Sequence, residues 1–407
     1  MKKQFLSPTT SGKRLYLTCD LTDNFSSTAK AVANCRNIAL FGNKIVNAKG
    51  ITSYGYSGTV KKILGSWQGQ TFVLTNQGIC KIVDKTYTNV ITLSANDMAF
   101  CVHRGDVVFS GTPGTYVLSE FGEVRTSSQH WCSSIVSFGD RVWGVNGNKL
   151  YATDISKSII WENGVYIDLP TTCTHLAVWD NKLYAFGKQI YQIDVNSNDV
   201  DTVITGIGSY GTVLATATSP HNGKLYFGTG SGLYVLNAKG AQLILHWPSD
   251  VVDLQMTANS SSIFANLCYE GNVETNIVQY DIALDGIVSS RLTQVQDIAY
   301  LDSLWAVLNG ALTTCSSDYS YSSVNLEIPL PYSGKTYYLR NLYLNSKHDM
   351  EVTLTTDKAT YTYDVAGKVG IQCLPLCGKC KQLNIELIGR SKLDLSHLAL
   401  EVVCYEI

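Results

Sequence analysis

The stretch Asp180-Asn181-Lys182-Leu183-Tyr184-Ala185-Phe186 recurs along the chain and decides the fold prediction. Its first two residues form a tight turn between an apolar strand that precedes them and a second strand that contains Leu183 and Tyr184. Similar turns begin near residues 68, 104, 139, 222, 261 and 301, so that successive turns, with the one at 180, are 36, 35, 41, 42, 39 and 40 residues apart. A repeat of about 40–45 residues with several short strands is typical of a β-propeller blade.

Each repeat predicts four antiparallel strands in the same order. An apolar inner strand such as Thr174–Trp179 is followed by the turn, the Lys-Leu-Tyr strand, a third strand and a polar outer strand. One such sheet cannot bury both of its faces, whereas neighbouring sheets stacked around an axis can. The chain is therefore predicted to be all-β, with a β-propeller of six or seven blades. Leu183 and Tyr184 are expected on a strand equivalent to that of Leu225 and Tyr226, with both leucines buried on a common face.

The strand pattern changes near residue 322. We predict that residues 1–52 lead into the propeller, that 53–322 form it, and that 323–407 form a small C-terminal β-sandwich. Five long alternating runs support the sandwich: Tyr337–Leu344, Glu351–Thr356, Thr360–Val365, Gln382–Ile388 and Leu398–Tyr405. Helical periodicity is almost absent, and only residues 26–34 predict a short capped helical turn.

Composition excludes several classes of protein. Only 16% of the 407 residues are charged, against about 25% in an average soluble chain. Low charge with 24 Tyr and 33 Gly fits a β-rich chain that hides much of its surface in an assembly. The net charge of −2 gives no overall basic field that would attract nucleic acid. No apolar run reaches the roughly 18 residues of a membrane span, and the N-terminus lacks the apolar core of a secretory signal.

Residues 20–52 combine an Ala-Asn turn with two strand-like runs. Asp20–Ser27 leads to Ala33-Asn34, and Asn37–Val46, which contains a Gly turn, is followed by Gly50-Ile51. This pattern resembles the N-terminal part of propeller-bearing structural virion proteins of tailed bacteriophages, of the tail-nozzle and tail-hub type. The family tends to carry an Arg just before the final glycine, where this chain has Lys49.

The resemblance implies a structural role without chemistry. It suggests a ring of identical copies in a phage tail or neck, next to portal, adaptor or distal tail proteins, assembled in the cytoplasm of the bacterial host. Such a protein joins parts of the virion as a head–tail connector or tail protein, and DNA passes through the ring without specific binding. Within this interpretation the C-terminal sandwich is the expected contact module.

The cysteines offer one candidate metal site. Cys373, Cys377 and Cys380 have C-x3-C-x2-C spacing, with Cys404 or His397 as a fourth ligand for zinc. A structural zinc site more often has two separated C-x2-C pairs, so a crossing of strands with core thiols is the favoured interpretation. Most of the 12 cysteines are expected to be reduced and buried as small apolar side chains.

The remaining chemistry-bearing residues favour structural roles. Asp154, Asp194 and Asp281 end equivalent strands, and this repetition predicts turn-capping carboxylates rather than catalytic ones. No nucleophile elbow, P-loop or paired-histidine metal motif occurs, and Thr229–Gly232 is a turn with no helix after it. The tryptophans beside the repeated turns are expected in core or blade-interface packing: Trp67, Trp143, Trp179 and Trp305. The sparse basic residues are expected at a solvated edge, with contact to passing DNA as the alternative: Lys61, Lys62, Lys379, Lys381, Arg390 and Lys392.

The sequence therefore predicts a structural virion protein with no catalytic residue, metal or cofactor. Two alternatives stay open. A glycan- or receptor-binding propeller would carry exposed aromatic residues in its loops, and a propeller enzyme would need a pair of carboxylates near the central axis.

Overall fold

A computed structural model describes most of the chain from residue 59 to residue 404. Within that range it leaves out residues 85, 128–130, 154–165, 205–210, 219–223, 238–239, 248–249, 272–274, 284, 319–321, 328–329, 331–334 and 390–393. Before residue 59 it describes only strand segments, without their side chains. The predicted helical turn at 26–34 and Asp154 therefore lie outside the described residues.

Every regular element of the described chain is a β-strand. The N-terminal strands are β1 (Lys3–Phe5), β2 (Lys13–Thr18), β3 (Cys35–Arg36), β4 (Ile38–Phe41), β5 (Lys44–Asn47) and β6 (Lys49–Ser53). The repeated region contains β7 (Val60–Trp67), β8 (Gln70–Thr75), β9 (Gly78–Val83), β10 (Thr86–Thr92), β11 (Ala99–His103), β12 (Asp106–Gly111), β13 (Gly114–Leu118), β14 (Val124–Ser127), β15 (Ser134–Phe138), β16 (Arg141–Asn146), β17 (Lys149–Thr153), β18 (Tyr166–Asp168), β19 (Cys173–Trp179), β20 (Lys182–Gly187), β21 (Ile190–Asp194), β22 (Asp199–Ile204), β23 (Val213–Thr218), β24 (Leu225–Thr229), β25 (Gly232–Asn237), β26 (Gly240–His246), β27 (Val251–Ala258), β28 (Ser262–Tyr269), β29 (Thr275–Asp281), β30 (Gly286–Thr293), β31 (Val295–Tyr300), β32 (Leu304–Leu308) and β33 (Ala311–Asp318). The C-terminal strands are β34 (Ser322–Glu327), β35 (Tyr337–Ser346), β36 (Met350–Thr356), β37 (Thr360–Val365), β38 (Gln372–Pro375), β39 (Lys379–Cys380), β40 (Leu383–Gly389) and β41 (Asp394–Cys404).

The chain divides into two compact units. The propeller-like unit comprises residues 51–276 and 293–315, and the second unit comprises residues 1–50, 277–292 and 316–407. The predicted domain boundaries after residues 52 and 322 stay a prediction, but this division groups the N-terminal strands with the C-terminal ones.

Four-stranded antiparallel sheets repeat through the propeller-like unit. Five of them follow the chain without a crossover: β7–β10, β11–β14, β15–β18, β19–β22 and β23–β26. The order β31–β32–β33–β6 forms another sheet, and β27 pairs with β28 in a hairpin. The predicted all-β fold with repeated four-stranded sheets is therefore confirmed.

The first strands of these sheets contact one another in chain order. β7 contacts β11, and the contacts continue through β15, β19, β23, β27 and β31, which in turn contacts β7. The series returns to its starting strand, as in a propeller-like arrangement of sheets around an axis.

Two-residue turns explain why the quoted stretch repeats. Asp180 and Asn181 have φ of 48° and 54°, and Gln68 and Gly69 have φ of 50° and 73°. Positive φ at both central residues matches the type I′ turn, whose twist fits that of the two strands it joins. Asn, Asp and Gly tolerate this conformation best, so the sequence marks the turn.

The predicted phase of the repeat is confirmed. Leu183 and Tyr184 lie on β20 and Leu225 and Tyr226 on β24, the second strand of each sheet, and all four are buried. Leu183 packs with Trp143 and other residues of the preceding sheet, and Leu225 packs with Phe186 of its own preceding sheet. The two leucines therefore face the same way, and burial between sheets stabilises the stack.

The second unit contains two sheets. In one, β41 pairs with β35 along one edge and with β2 and β5 along the other, while β5 continues to β4 and β30. The other has the order β3–β34–β40–β36–β37. The five long strands predicted for this region are β35, β36, β37, β40 and β41, each within a few residues of its expected bounds.

Candidate functional site

A bulge near the start of the first strand recurs in five repeats and determines which side chains meet at the axis. The register shifts lie between Val60 and Lys62, Cys173 and His175, Val213 and Ala215, Val251 and Asp253, and Val295 and Asp297. A bulge inserts one residue and redirects the side chains beside it. Charged or titratable residues therefore follow the bulge on β7, β19, β27 and β31.

Four of the described residues form what we call the axial cluster: Lys62, Asp97, His175 and Asp297. Lys62 lies on β7, His175 on β19 and Asp297 on β31, while Asp97 precedes β11. The charges of Lys62 and Asp97 act on both His175 and Asp297. The cluster therefore joins side chains from repeats that are far apart in sequence.

Asp297 is the most buried member, with 6% of its surface exposed. The Ile63 N–H donates a 2.7 Å hydrogen bond to Asp297 Oδ2, which links β7 to β31. Burial raises the pKa of Asp297 to about 6, against the opposing effects of this hydrogen bond and of the Lys62 charge. The carboxyl group therefore connects β7 to β31, in a buried position that disfavours its ionised form.

The two lysines of β7 are held by the segment before β11. Lys62 Nζ lies 2.5 Å from Asp97 Oδ1, and Lys61 Nζ donates to the Ala95 carbonyl at 2.7 Å and to Asn96 Oδ1 at 3.3 Å. Both lysines are half-buried. The side chain of Lys62 remains 36% exposed and that of Asp97 70% exposed, so the predicted solvated edge stays a prediction.

Burial also acts on His175, the member of the cluster that lies on β19. Burial, followed by the positive charge of Lys62, lowers the pKa of His175 to about 4, while Asp97 acts in the opposite direction. Its Nδ1 lies 2.9 Å from Thr174 Oγ1. The imidazole is half-buried and neutral at physiological pH.

These contacts define what the axial cluster can do. Asp297 accepts a backbone hydrogen bond, Lys62 is paired with Asp97, and His175 is neutral. Two carboxylates lie near the axis, as a propeller enzyme would need, but one of them is occupied with a backbone amide. The bond from Ile63 to Asp297 and the pair of Lys62 with Asp97 connect different parts of the repeated region.

One cavity lies among the first strands of neighbouring sheets. This cavity of about 320 Å³ is lined by four consecutive strands, β11, β15, β19 and β23. Its lining is mostly apolar and includes Phe100, and the polar exceptions are Cys101, Ser137, Thr216 and Thr218. No charged residue of the described chain lines this cavity.

Two grooves lie at the sheet junctions of the propeller-like unit. One, of about 470 Å³, is lined by residues 94–99, 110–112 and 131–133 and includes Asp97 and Trp131. The other, of about 270 Å³, lies between the sheets β7–β10 and β11–β14 and is lined by Trp67. We call the second one the Trp67 groove.

The tryptophans beside the turns pack as predicted. Trp143 and Trp305 are buried in clusters between sheets, and Trp67 and Trp179 are half-buried against two others. Trp67 alone among these four lines one of the described grooves.

The cysteine cluster is spread over both sides of a strand. Cys373 and Cys377 are exposed, whereas Cys380 and Cys404 are buried. Cys380 on β39 and Cys404 on β41 are the backbone partners of Tyr337 on the two sides of β35. Two strand spacings of about 4.8 Å put these two backbones about 10 Å apart, beyond the reach of a disulfide. In the part of the chain that the structure describes, no three His, Cys, Asp or Glu side chains are grouped to hold a metal ion. No disulfide links any two of the nine described cysteines, and Cys80, Cys101, Cys132 and Cys173 pack in apolar clusters.

The aspartates at strand ends cap turns, as predicted for the two that are described. Asp194 Oδ1 accepts hydrogen bonds from the backbone amides of Asn196 at 2.9 Å and Ser197 at 3.4 Å, which lower its pKa. Asp281 Oδ1 accepts a hydrogen bond from the Ala283 amide at 3.0 Å.

Among the other basic residues expected at a solvated edge, Lys379 lies over the Tyr338 ring and Lys381 is exposed. Arg390 and Lys392 lie outside the described residues.

Sequence reasoning missed Asp97, His175 and Asp297. The available signal was a polar residue early in an otherwise apolar first strand, as in Thr174-His175 and Gln296-Asp297. A polar residue at that position is unexpected in a strand buried on both faces.

Comparisons with known proteins add to the description of the fold only. No protein-family model matches the sequence, and no curated protein matches it. The computationally designed Ika8 protein is 12% identical, with 66% of this chain and 99% of that chain covered and a TM-score of 0.43. The extracellular domain of a one-component system from B. thetaiotaomicron is 11% identical, with 84% of this chain covered and a TM-score of 0.50. The match spans 57% of that domain's chain, and at this identity the likeness concerns the propeller-like fold. No helix of the described residues is long and apolar enough to cross a membrane.

Proposed function

We propose that this chain is a non-catalytic structural protein of a bacteriophage virion, assembled as a ring of identical copies in the tail or neck. The resemblance of residues 20–52 supplies the virion assignment, and the structure supplies a rigid scaffold that fits it. In this proposal the neighbours are portal, adaptor or distal tail proteins, and assembly takes place in the bacterial cytoplasm.

The proposed architecture is a seven-bladed β-propeller with a C-terminal β-sandwich. Six four-stranded sheets correspond to six blades in this proposal, and the β27–β28 hairpin is the start of a seventh. β6, which precedes the first blade in sequence, completes the last sheet beside β33. The two sheets of the second unit form the sandwich, with strands from both ends of the chain.

One observation carries the structural role: a loop of the second unit presents two aliphatic side chains to solvent. Val369 is 81% exposed and Ile371 is 63% exposed. The loop is fixed, because Lys368 N donates to the Ser346 carbonyl at 3.0 Å and Gly370 N donates to Asn345 Oδ1 at 3.2 Å. A fixed apolar loop loses little conformational entropy on association, so it suits a contact between copies.

The proposed DNA passage lies in the middle of the ring of copies, outside any single propeller. The cavity of about 320 Å³ that four first strands line corresponds to a cube with an edge of about 7 Å, whereas the major groove of a DNA duplex alone is about 12 Å wide.

The test is the oligomeric state of the full chain. We expect light scattering and electron microscopy to find a closed ring for the wild type and a monomer for the double variant Val369→Asp, Ile371→Asp. Phe121→Asp is the matched control, since Phe121 is 86% exposed but lies in the propeller-like unit. Point changes are preferable to removing residues 323–407, because β41 pairs with β2 and β5. A wild-type chain that stays monomeric at micromolar concentration would contradict the proposal.

A further inference from the structure

The Trp67 groove combines an aromatic ring with polar side chains from two sheets. Trp67 ends β7, and Gln68 occupies the turn that follows it. Gln70 and Lys81 contribute from β8 and β9, and Glu120 from the turn between β13 and β14. These residues belong to one compact unit, so the groove is part of its framework.

The polar side chains in the groove are not used to hold the fold together. Within the described residues, the side chains of Gln68, Gln70, Lys81 and Glu120 make none of the recorded hydrogen bonds or ion pairs, although Lys81 and Gln70 are half-buried. By contrast, the neighbouring Asp106 accepts from Arg125 at 3.1 Å. Half-buried polar groups without a protein partner remain available for a ligand.

The groove charges cancel. Lys81 and Glu120 supply one positive and one negative charge, and the two glutamine amides each provide donors and an acceptor. A sugar hydroxyl donates and accepts, so it matches amides and a carboxylate, while the apolar face of a sugar ring fits an aromatic side chain. An anion such as phosphate would meet the Glu120 carboxylate.

We propose that the Trp67 groove binds one neutral monosaccharide unit of a glycan. The volume of about 270 Å³ lies just below the range of about 300–1,000 Å³ found for drug-sized ligands, which suits a single ring. In this site Trp67 packs on the ring, Gln70 and Gln68 bond its hydroxyls, and Glu120 accepts from one of them. The groove lies in the propeller-like unit, whereas Val369 and Ile371 belong to the second unit, and this proposal does not rest on the proposed ring assembly.

The experiment titrates the full chain with four neutral methyl glycosides, those of glucose, galactose, mannose and N-acetylglucosamine, by calorimetry and ligand-observed NMR. We expect saturable binding of at least one glycoside. Glu120→Gln should weaken it about tenfold or more, because a hydrogen bond to a charged group is lost. Glu123→Gln is the matched control, since Glu123 is exposed in the same turn but does not line the groove.

A second pair of variants keeps the test independent of charge. Trp67→Leu should abolish the binding, whereas Trp179→Leu, at the equivalent end of β19, should leave it unchanged, with thermal unfolding recorded for both. The proposal is overturned if no glycoside binds the wild type saturably, or if folded Trp67→Leu and Glu120→Gln bind as the wild type does. Preferential binding of inorganic phosphate in the same groove would overturn it as well.

Discussion

Replacing Asp297 by Asn should change how the stability of the protein depends on pH. Burial raises the pKa of Asp297 from 3.8 to about 6, so between these values the folded state binds more protons than the unfolded state. The contribution of Asp297 to the free energy of unfolding therefore falls as pH rises through this window and is lowest above pH 6. A shift of about two units corresponds to about 3 kcal/mol.

Asp297→Asn removes the destabilisation caused by ionisation of the buried carboxyl group, and its amide oxygen can still accept the hydrogen bond from the Ile63 N–H. We expect the variant to match the wild type near pH 4 and to be more stable above pH 6, by up to about 3 kcal/mol. Asp297→Ala should instead be destabilised by about 1–3 kcal/mol relative to Asn at all pH values, because the Ile63 N–H stays buried without a partner.

His175 gives the opposite slope and sharpens the test. Its pKa is lowered to about 4, so its contribution to stability is present above pH 6.5 and is lost as pH falls through 4. The two slopes oppose each other in the wild type between pH 4 and 6. Asp297→Asn should expose the rising slope of His175, and His175→Gln should expose the falling slope of Asp297.

Urea unfolding followed by circular dichroism at pH 4 to 8 measures these differences, provided that unfolding is reversible. The reasoning fails if Asp297→Asn is as unstable as Asp297→Ala at pH 7.5. That result would mean that the negative charge itself stabilises the axis, for example through Lys62.

Other expected outcomes follow from packing. Leu183→Ala should lower the free energy of unfolding by about 2–5 kcal/mol, because Leu183 is fully buried between two sheets, and chemical denaturation measures the change. In the native protein, Cys373 and Cys377 should react rapidly with a thiol reagent, whereas Cys101, Cys132 and Cys173 should react only on unfolding, because burial raises the pKa of each to about 12. Gly78→Ala should destabilise the first sheet, since Gly78 has φ of 133° and a Cβ there would meet the Ile91 carbonyl oxygen; a lower midpoint of thermal unfolding would report it.

The repeated sheets could be predicted because their signals are local. The turn at Asp180-Asn181 needs residues that tolerate positive φ, and the alternation around Leu183 has the period of a strand. The C-terminal strands were found for the same reason. The pairing of β2 with β41 could not be predicted, because nothing in a six-residue strand specifies a partner almost 400 residues away.

The axial cluster could not be predicted because it depends on closure and on bulges. The bond between Ile63 and Asp297 joins residues 234 positions apart. The bulges at Lys61 and Gln296 shift the alternation by one residue, so a strict period of two places these side chains on the wrong face. The Trp67 groove was partly foreseeable, since the position of Trp67 beside a turn is visible in the sequence but the approach of Glu120 is not.

Asp297 is one of several side-chain oxygens that connect neighbouring first strands through a backbone amide. Ser134 Oγ accepts from Leu176 N at 3.0 Å, and Thr257 Oγ1 accepts from Tyr300 N at 2.9 Å. A neutral hydroxyl is sufficient at those two junctions, so the bond itself does not require a carboxylate. Asp297 lies on β31, the first strand of the last sheet, which contacts β7 of the first sheet. This junction joins the two first strands that are farthest apart in sequence, so forming it carries the largest cost in loop-closure entropy. An ionised carboxylate is a stronger acceptor than a hydroxyl, and the Lys62 charge favours the ionised form, but burial outweighs both and raises the pKa of Asp297. A neutral amide oxygen at this position should therefore close the junction with less loss of stability above pH 6.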